Sequence, residues 1–299
     1  MAKIRPIVIY PFQHRPENVQ HLNALYLSLE NRRQHTSELY ERPLTVVNRQ
    51  TYYRNCNDQS FMKMYAAARG YSDLVEDAWC VDTCQMWLAG FGKAFDRSFN
   101  PEGPGEDIFW LVPGDFDYAT EAGKEVLRTM YMIPEDVTQS EFCIGQLEMK
   151  PNSSKHLIDT YGTYGLLFNW FPAEAAEMRR KNIIHPRSEF FAIHHRFLRG
   201  ALIHHRWFAY EQTIALLLQA GGRHVSTVSL GGIADESESR DSLTGALQQI
   251  ERTERVLKVA WRDQQIKNKV KDWVKDFRRL EEQSKEIIGA AMTILENSL

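Results

Sequence analysis

Two aspartates one residue apart, Asp115 and Asp117, follow directly on an apolar run, Asp107 to Val112 (DIFWLV), in the order Pro113-Gly114-Asp115-Phe116-Asp117-Tyr118. Open α/β sheets bind ligands outside the carboxyl ends of their strands, and carboxylates in that position are well placed for chemistry. Hard oxygen ligands of this kind hold a divalent cation, and a cation there offsets charge that builds on a departing phosphate group. Alternate residues of an extended segment point the same way, so the pair converges on one ion if strand geometry persists through Asp117. The competing reading is a turn, because Pro-Gly-Asp is turn chemistry and aspartates are readily solvated there.

A second concentration of chemistry lies between His185 and Arg206, where His185, Arg187, His194, His195, Arg196, Arg199, His204, His205 and Arg206 give the densest positive potential in the chain. Arginine forks bind phosphate or carboxylate at two points at once, so the cluster suits an anionic ligand; a solvated basic face is the plainer alternative. The His-His pairs make a poor zinc site, since neighbouring strand residues face opposite sides. Cys56, Cys80, Cys84 and Cys143 lack paired CxxC spacing and read as reduced thiols. Cys80 and Cys84, one helical turn apart among Trp79, Val81, Met86 and Trp87, read as a buried helix face rather than a zinc site.

The elements that must position these residues alternate in type. Ile4 to Phe12 (IRPIVIYPF) has the form of a buried parallel strand, and Val19, Leu22, Leu25, Tyr26 and Leu29 recur at helical spacing behind Pro16. Pro43 to Asn48 supplies a second strand, and the polar stretch Arg49 to Ser60 reads as a loop over the site. Residues 61 to 99 carry two helical stretches, Pro101 to Gly105 a loop, and Phe142 to Leu147 a further strand. Ser153 to Asn182 is helical with a break at Phe171-Pro172, Glu189 to Leu198 strand-like, Trp207 to Gln219 helical and Val225 to Leu230 strand-like. Strands alternating with helices predict an α/β fold, a parallel or mixed sheet covered on both faces.

From Leu243 onward the pattern is helical, with Val270, Trp273, Val274, Phe277, Leu280, Ile287, Ile288, Met292 and Leu295 tracing an apolar stripe. The chain thus divides into a catalytic domain, 1–242, and a helical extension, 243–299, whose stripe packs on the domain or on a second subunit as a homodimer. Hydrophobic residues at 43% of the 299 suffice for a core of this size. A net charge of −3 gives no global basic field and argues against nucleic acid as partner. No run of eighteen apolar residues and no cleavable signal is present, so a cytoplasmic location is expected.

Laid out in order, residues 4 to 245 resemble the nucleotide-sugar glycosyltransferases of the GT-A fold. The opening I-V-I-Y-P-F-Q-H-R-P-E-N-V is similar to that family's first strand and turn, V-V-I-P-x-Y-N-R, and Gly92-Lys93 resembles a segment approaching the diphosphate. Ile144-Gly145-Gln146 resembles the strand after D-x-D, and Pro186 to His194 the acceptor-side strand. Tyr210-Glu211-Gln212-Thr213, with Gln219-Ala220-Gly221-Gly222 behind it, resembles E-D-T-x-L-x-L-x-x-A-G.

The resemblance implies a nucleoside diphosphate sugar as donor, a hydroxyl acceptor of phosphorylated or acidic character, and Mn2+ or Mg2+. It assigns nucleotide-sugar contacts to Pro11, Gln13, Arg15, Lys93, Asp115 and Phe116, and acceptor contacts to His194, His195 and Arg196. Asp117 and Glu211 become the catalytic carboxylates, Glu211 as the base that takes the acceptor proton. Asp115, Asp117 and His224 become metal ligands, with Asp235 or Glu236 as substitutes for the histidine.

Three departures stand out: Gln212 where the family has Asp, no histidine after His224, and Asn48-Arg49-Gln50 where the second strand usually brings aspartates. Two other functions compete. A sugar-phosphate nucleotidyltransferase uses a similar sheet but needs glycines in a first turn that here reads Pro-Phe-Gln-His-Arg-Pro. A non-catalytic GT-A-like interaction subunit would account for Gln212 and the missing histidine.

Overall fold

The structure, a computed structural model, describes residues 2–11, 13–36, 38–76, 79–80, 82–98, 106–137, 140–150, 154–198, 209–221, 224–234 and 247–266, and beyond these Asn268, Lys269, Asp272, Lys275, Arg279 and Glu282. Seven strands form one sheet: β1 (Ile4–Ile9), β2 (Leu44–Val46), β3 (Asp73–Val75), β4 (Ile108–Pro113), β5 (Phe142–Met149), β6 (Phe191–His194) and β7 (Val225–Ala234). Their order across the sheet is β3-β2-β1-β4-β6-β5-β7. Neighbours β3, β2, β1 and β4 are parallel, β6 is antiparallel to both β4 and β5, and β5 and β7 are parallel again. The sheet is therefore mixed, with β6 the single reversed strand among the described ones.

The central strands are apolar along their whole length because both faces are covered. Every residue of β4 is buried, including Trp110, and no residue of β1 except Arg5 escapes burial. Arg5 is held by Asp107 at 2.6 Å, which satisfies the one charged group that the strand carries. The helix Thr83–Ser98 seats closely on β1 and β2 through Gly90, where a Cβ would lie 2.7 Å from Ile7 and 2.9 Å from Val46. That close seat sets its first turn at the carboxyl ends of the strands.

Most expected elements appear with trimmed ends, and three readings need correction. Arg49 to Ser60 is not a loop: Arg49–Asn55 is helical, and the helix Gln59–Tyr71 starts within the stretch. Asn48 caps the first helix by accepting from the Gln50 amide at 3.1 Å, and Asp58 caps the second by accepting from Ser60 at 2.7 Å and Phe61 at 3.1 Å. End-capping supports the polar helix Arg49–Asn55, where amphipathic spacing gave no signal, and starts Gln59–Tyr71 ahead of its apolar face of Phe61, Met64, Tyr65 and Ala68. The short edge strand β3 went unforeseen between the helices Gln59–Tyr71 and Thr83–Ser98. Cys80 precedes the helix that carries Cys84, so the two do not share a helix face, although both are buried thiols outside any disulfide.

Ser154 to Arg180 is helical with the expected break at Phe171, and one turn of it, Ile158–Thr163, is a π-helix. Residues 247–266 form the first part of the C-terminal helix. It buries Thr253, Val256 and Leu257, and Trp261 meets Trp170 at 5.9 Å between ring centres. The loop Pro101 to Gly105 and the stripe Val270 to Leu295 lie outside the described residues.

Candidate active site

Four segments meet at the carboxyl edge of the sheet. The end of β1 brings Tyr10 and Pro11, the first turn of the helix Thr83–Ser98 brings Thr83 and Trp87, the end of β4 brings Asp115, and the approach to β6 brings Glu189. Together they line a cavity of about 30 Å3. That is room for one cation or water, and two carboxylates reach it.

The turn that carries Asp115 is fixed by sterics. Gly114 donates its amide to the Ile9 carbonyl at 2.9 Å, and a Cβ on it would fall 2.3 Å from that same oxygen. Gly123 opens the next helix, Glu121–Thr129, where a Cβ would meet the Asp117 carbonyl at 1.9 Å. Thr120 bridges them, accepting from the Gly123 amide at 3.1 Å and donating to the Asp117 carbonyl at 3.0 Å. Below the turn, the buried Tyr118 hydroxyl donates to the Pro113 carbonyl at 2.7 Å; burial, with Asp115 and Glu189 nearby, pushes that phenol far above its ordinary range. Phe116 packs on Tyr118 and Phe190, tying the turn to the β6 approach.

Strand geometry ends at Pro113, and the two aspartates part company. Asp115 lines the cavity, whereas Asp117 accepts from the Ala119 amide at 3.1 Å and pairs with His21 at 3.0 Å. His21 belongs to the helix Asn18–His35 and is itself largely buried. The turn reading of Pro-Gly-Asp thus describes the backbone here, while the location at the strand end is kept.

Glu211 reaches the same edge. It is buried in the first turn of the helix Ala209–Gln219, whose position is set by its neighbours: Gln212 donates to Cys84 Sγ at 2.9 Å and Thr213 to the Ser188 carbonyl at 3.0 Å. Cys84 adjoins Thr83, and Ser188 adjoins Glu189, so both anchors flank the cavity. Gln212, the departure from the family pattern, serves as one of those anchors.

The turn after β1 is held by a chain of hydrogen bonds. Ser60 donates to Asp58 at 2.6 Å, so His14 Nε2 donates to Ser60 at 2.9 Å and His14 Nδ1 accepts from the Tyr10 hydroxyl at 2.8 Å. Burial outweighs the nearby Asp58 and Glu17 and lowers the His14 pKa below its ordinary value, while burial raises that of Tyr10. Gln13 and Arg15 stand exposed on this turn and Pro11 is buried in the cavity wall.

A buried ionic group lies in the loop that leads to β6. Asp159, on the π-helical turn, pairs with His185 Nδ1 and lies 3.4 Å from Arg187, and Arg187 also donates to Gln249 of the C-terminal helix at 2.7 Å. Gln146 of β5 grips the same loop, its Oε1 accepting from the Ile184 and His185 amides at 2.9 and 2.7 Å.

The remaining expected site residues are elsewhere, because β6 runs against its neighbours. His194 pairs in register with Ile108, at the start of β4, and so lies at the opposite edge from Asp115. Arg196 follows it there, and His195 is core, its ring packed on Phe95 and Phe109 at 4.6 and 5.3 Å. His224 immediately precedes β7, which runs parallel to β5, so it too is at the opposite edge and cannot share an ion with Asp115. Lys93 is exposed about 15 Å along its helix from Thr83, given a rise of about 1.5 Å per residue. Asp235 and Glu236 lie outside the described residues, among which no group of three or more His, Cys, Asp or Glu could hold a metal.

Sequence reasoning missed His21, Trp87 and Glu189 as site residues. Glu189 stood inside the segment matched to the acceptor-side strand, so register with the end of β4 was the signal that could have found it. His21 is separated from Asp117 by most of a hundred residues, and nothing local marks it.

No family model matches the chain, and no curated protein matches it. Solved structures do. Glucosyl-3-phosphoglycerate synthase from Mycobacterium tuberculosis, in complex with Mn2+, UDP-glucose and phosphoglyceric acid, superposes with a TM-score of 0.58 at 10% identity, covering 87% of this chain and 80% of that one. The same enzyme with Mn2+, UDP and glucosyl-3-phosphoglycerate gives a TM-score of 0.56 at 12% identity, over 84% and 78%. Its complex with Mn2+, UDP-glucose and glycerol 3-phosphate gives 0.54 at 12% identity, over 84% and 78%. With its sheet order, its single reversed strand and the acidic turn after β4, the chain has the GT-A fold.

Proposed function

We propose that the chain transfers a sugar from a nucleoside diphosphate sugar to the hydroxyl of an anionic acceptor. The observation that carries this reading is Asp115, fixed by Gly114 at the carboxyl end of β4 with Glu189 and the Glu211 helix facing the same edge. The solved structures of the same fold hold Mn2+ with UDP or UDP-glucose and phosphorylated small acids.

The donor set fits a hard divalent cation, Mn2+ or Mg2+, because Asp115 and Glu189 offer carboxylate oxygens around a volume of ionic size. When bound, the cation offsets charge on the departing nucleoside diphosphate. In this reading Pro11, Gln13 and Arg15 receive the nucleotide on the turn braced by His14, and Phe116 supports the donor beside Asp115. Asp117, held by His21 and the Ala119 amide, keeps the turn in register. The bond from the anomeric carbon to phosphate breaks, the bond to the acceptor oxygen forms, and Glu211 accepts the hydroxyl proton. Arg187 and His185, the members of the basic cluster on this edge, are paired with the buried Asp159 and brace the loop that leads to Glu189.

Two further parts of the reading concern setting. Val259 and Ile266 are exposed on the C-terminal helix, which suits pairing with a second copy; light scattering at increasing concentration tests it. No helix among the described residues is long and apolar enough to cross a membrane, and a cytoplasmic enzyme would meet the nucleotide-sugar pool directly.

The deciding experiment incubates the full chain with Mn2+, UDP-glucose and phosphoglyceric acid or glycerol 3-phosphate and follows glycoside and UDP by NMR. Transfer to either acceptor supports the reading. No thermal stabilisation by any nucleoside diphosphate or its sugar, with or without Mn2+, would overturn it.

A further inference from the structure

The residues that β6 carries away from Asp115 are not scattered. At the opposite edge of the sheet Glu106, Glu141, His194, Arg196 and His224, drawn from separate segments, line one cavity of about 530 Å3. Ala2 stands at its rim, and the buried side chains of Ile108 and Val137 close its floor from the core. Its volume lies within the range of roughly 300–1,000 Å3 typical of small-molecule sites.

Charge narrows the ligand. Arg196 lies 3.9 Å from Glu141, and Glu106 adds a second carboxylate, so the cavity has no net cationic field for a phosphate. The Arg196 guanidinium beside Glu141 sets a positive charge among these carboxylates and disfavours a metal as well. What remains is a set of donors and acceptors. His194 Nδ1 accepts from the Arg196 amide at 3.4 Å, which leaves Nε2 as its N–H. Arg196 donates, and Glu106 and Glu141 accept.

A group that must give a hydrogen bond to a carboxylate and take one from a guanidinium or imidazole is a hydroxyl. A ligand that offers several hydroxyls on one ring is a sugar. We propose that this cavity is a second carbohydrate site, binding a neutral mono- or disaccharide about 20 Å from Asp115, as the length of β4 at about 3.3 Å per residue requires. The proposal stands on this cavity and does not depend on the transfer reaction. For an enzyme that handles sugars, such a site would hold a saccharide product or acceptor chain away from the reacting edge.

The test is saturation-transfer NMR and calorimetry on the full chain with glucose and with maltose, without nucleotide or metal. Wild type and Asp115→Asn are expected to bind the disaccharide saturably and alike. Glu141→Gln combined with Arg196→Met, both at side chains that reach solvent, should weaken binding by about tenfold or more while the melting temperature holds, since hydrogen bonds to charged groups are stronger than those between neutral ones. Failure of wild type to bind either sugar at tens of millimolar overturns the proposal. So does binding that Asp115→Asn abolishes and the double variant keeps, or displacement of the sugar by inorganic phosphate at lower concentration.

Discussion

The two ends of β4 carry similar side chains and differ in how those side chains are held. At the carboxyl end, Asp115 sits on a turn that two glycines compress against neighbouring backbone, and Tyr118 and Phe116 support it from beneath. At the amino end, Glu141 and Arg196 lie 3.9 Å apart on side chains that reach solvent, and ordinary strand-end hydrogen bonds to His224 and His194 hold the Glu141 backbone. Reactive groups need a fixed geometry, because misplacement of about 1 Å costs orders of magnitude in rate. Residues that only bind a hydroxylated ligand tolerate more freedom. Residue type alone does not separate the two ends; the steric crowding of the turn around its glycines does.

The sharpest way to break this comparison is to remove one carboxylate from each end. Asp115→Asn should lower the transfer rate roughly 10²–10³-fold, the loss typical of a group that stabilises transition-state charge, whereas Glu141→Gln should leave it within about twofold. Equal losses in a steady-state assay would dissolve the distinction. Asp117→Asn should cost less than Asp115→Asn, because its oxygen is engaged by His21 and Ala119. The reverse ranking would return the ion to Asp117.

The support beneath the carboxyl edge can be tested by stability. Asp159→Asn leaves the charge of Arg187 poorly compensated in a buried place, and breaking such a pair costs about 3–5 kcal/mol. Urea denaturation should show that loss, with little change for Arg196→Met at the other edge. Gly123→Ala must displace the Asp117 carbonyl, since its Cβ would lie 1.9 Å away. Overpacking of that kind costs about 1–3 kcal/mol, and a stability unchanged in the same titration would mean that the turn is softer than its geometry.

The smallest effect is a proton. His14 has its pKa lowered by burial, so the folded chain keeps it neutral where the unfolded chain protonates near the ordinary value of 6.5. Stability should therefore fall as pH drops below about 6.5 and level off once folded His14 also takes its proton. Chemical denaturation across that window, compared with His14→Gln, should show the slope in wild type and a shallower one in the variant.

Much of the carboxyl edge was legible because it depends on local order along the chain. An apolar β-branched run ending in Pro-Gly-Asp announces a strand and a turn, and both are where expected. The Glu211 helix was legible in the same way. What could not be read was direction. The basic stretch from His185 to Arg196 looks like one patch in the sequence, yet four residues of reversed strand, about 13 Å long, carry His194 and Arg196 to the far edge and leave His185 and Arg187 on the loop before Glu189. Pairing partners set that reversal, and they come from distant parts of the chain. His21 and its contact with Asp117 were hidden for the same reason. The polar helix Arg49–Asn55 was missed because capping by Asn48, not a buried face, supports it.

The place of β6 also bears on how the molecule is made. It lies between β4 and β5, the two strands that must otherwise present bare edges to solvent, yet it follows both in the chain. On the ribosome the first four strands can therefore assemble while the edge of β4 waits for a partner not yet synthesised. Such unpaired edges invite association with other chains, and late, long-range pairing slows closure. Substitutions that weaken β6 should thus show first as poor soluble yield, before any loss of activity in the molecules that succeed in folding.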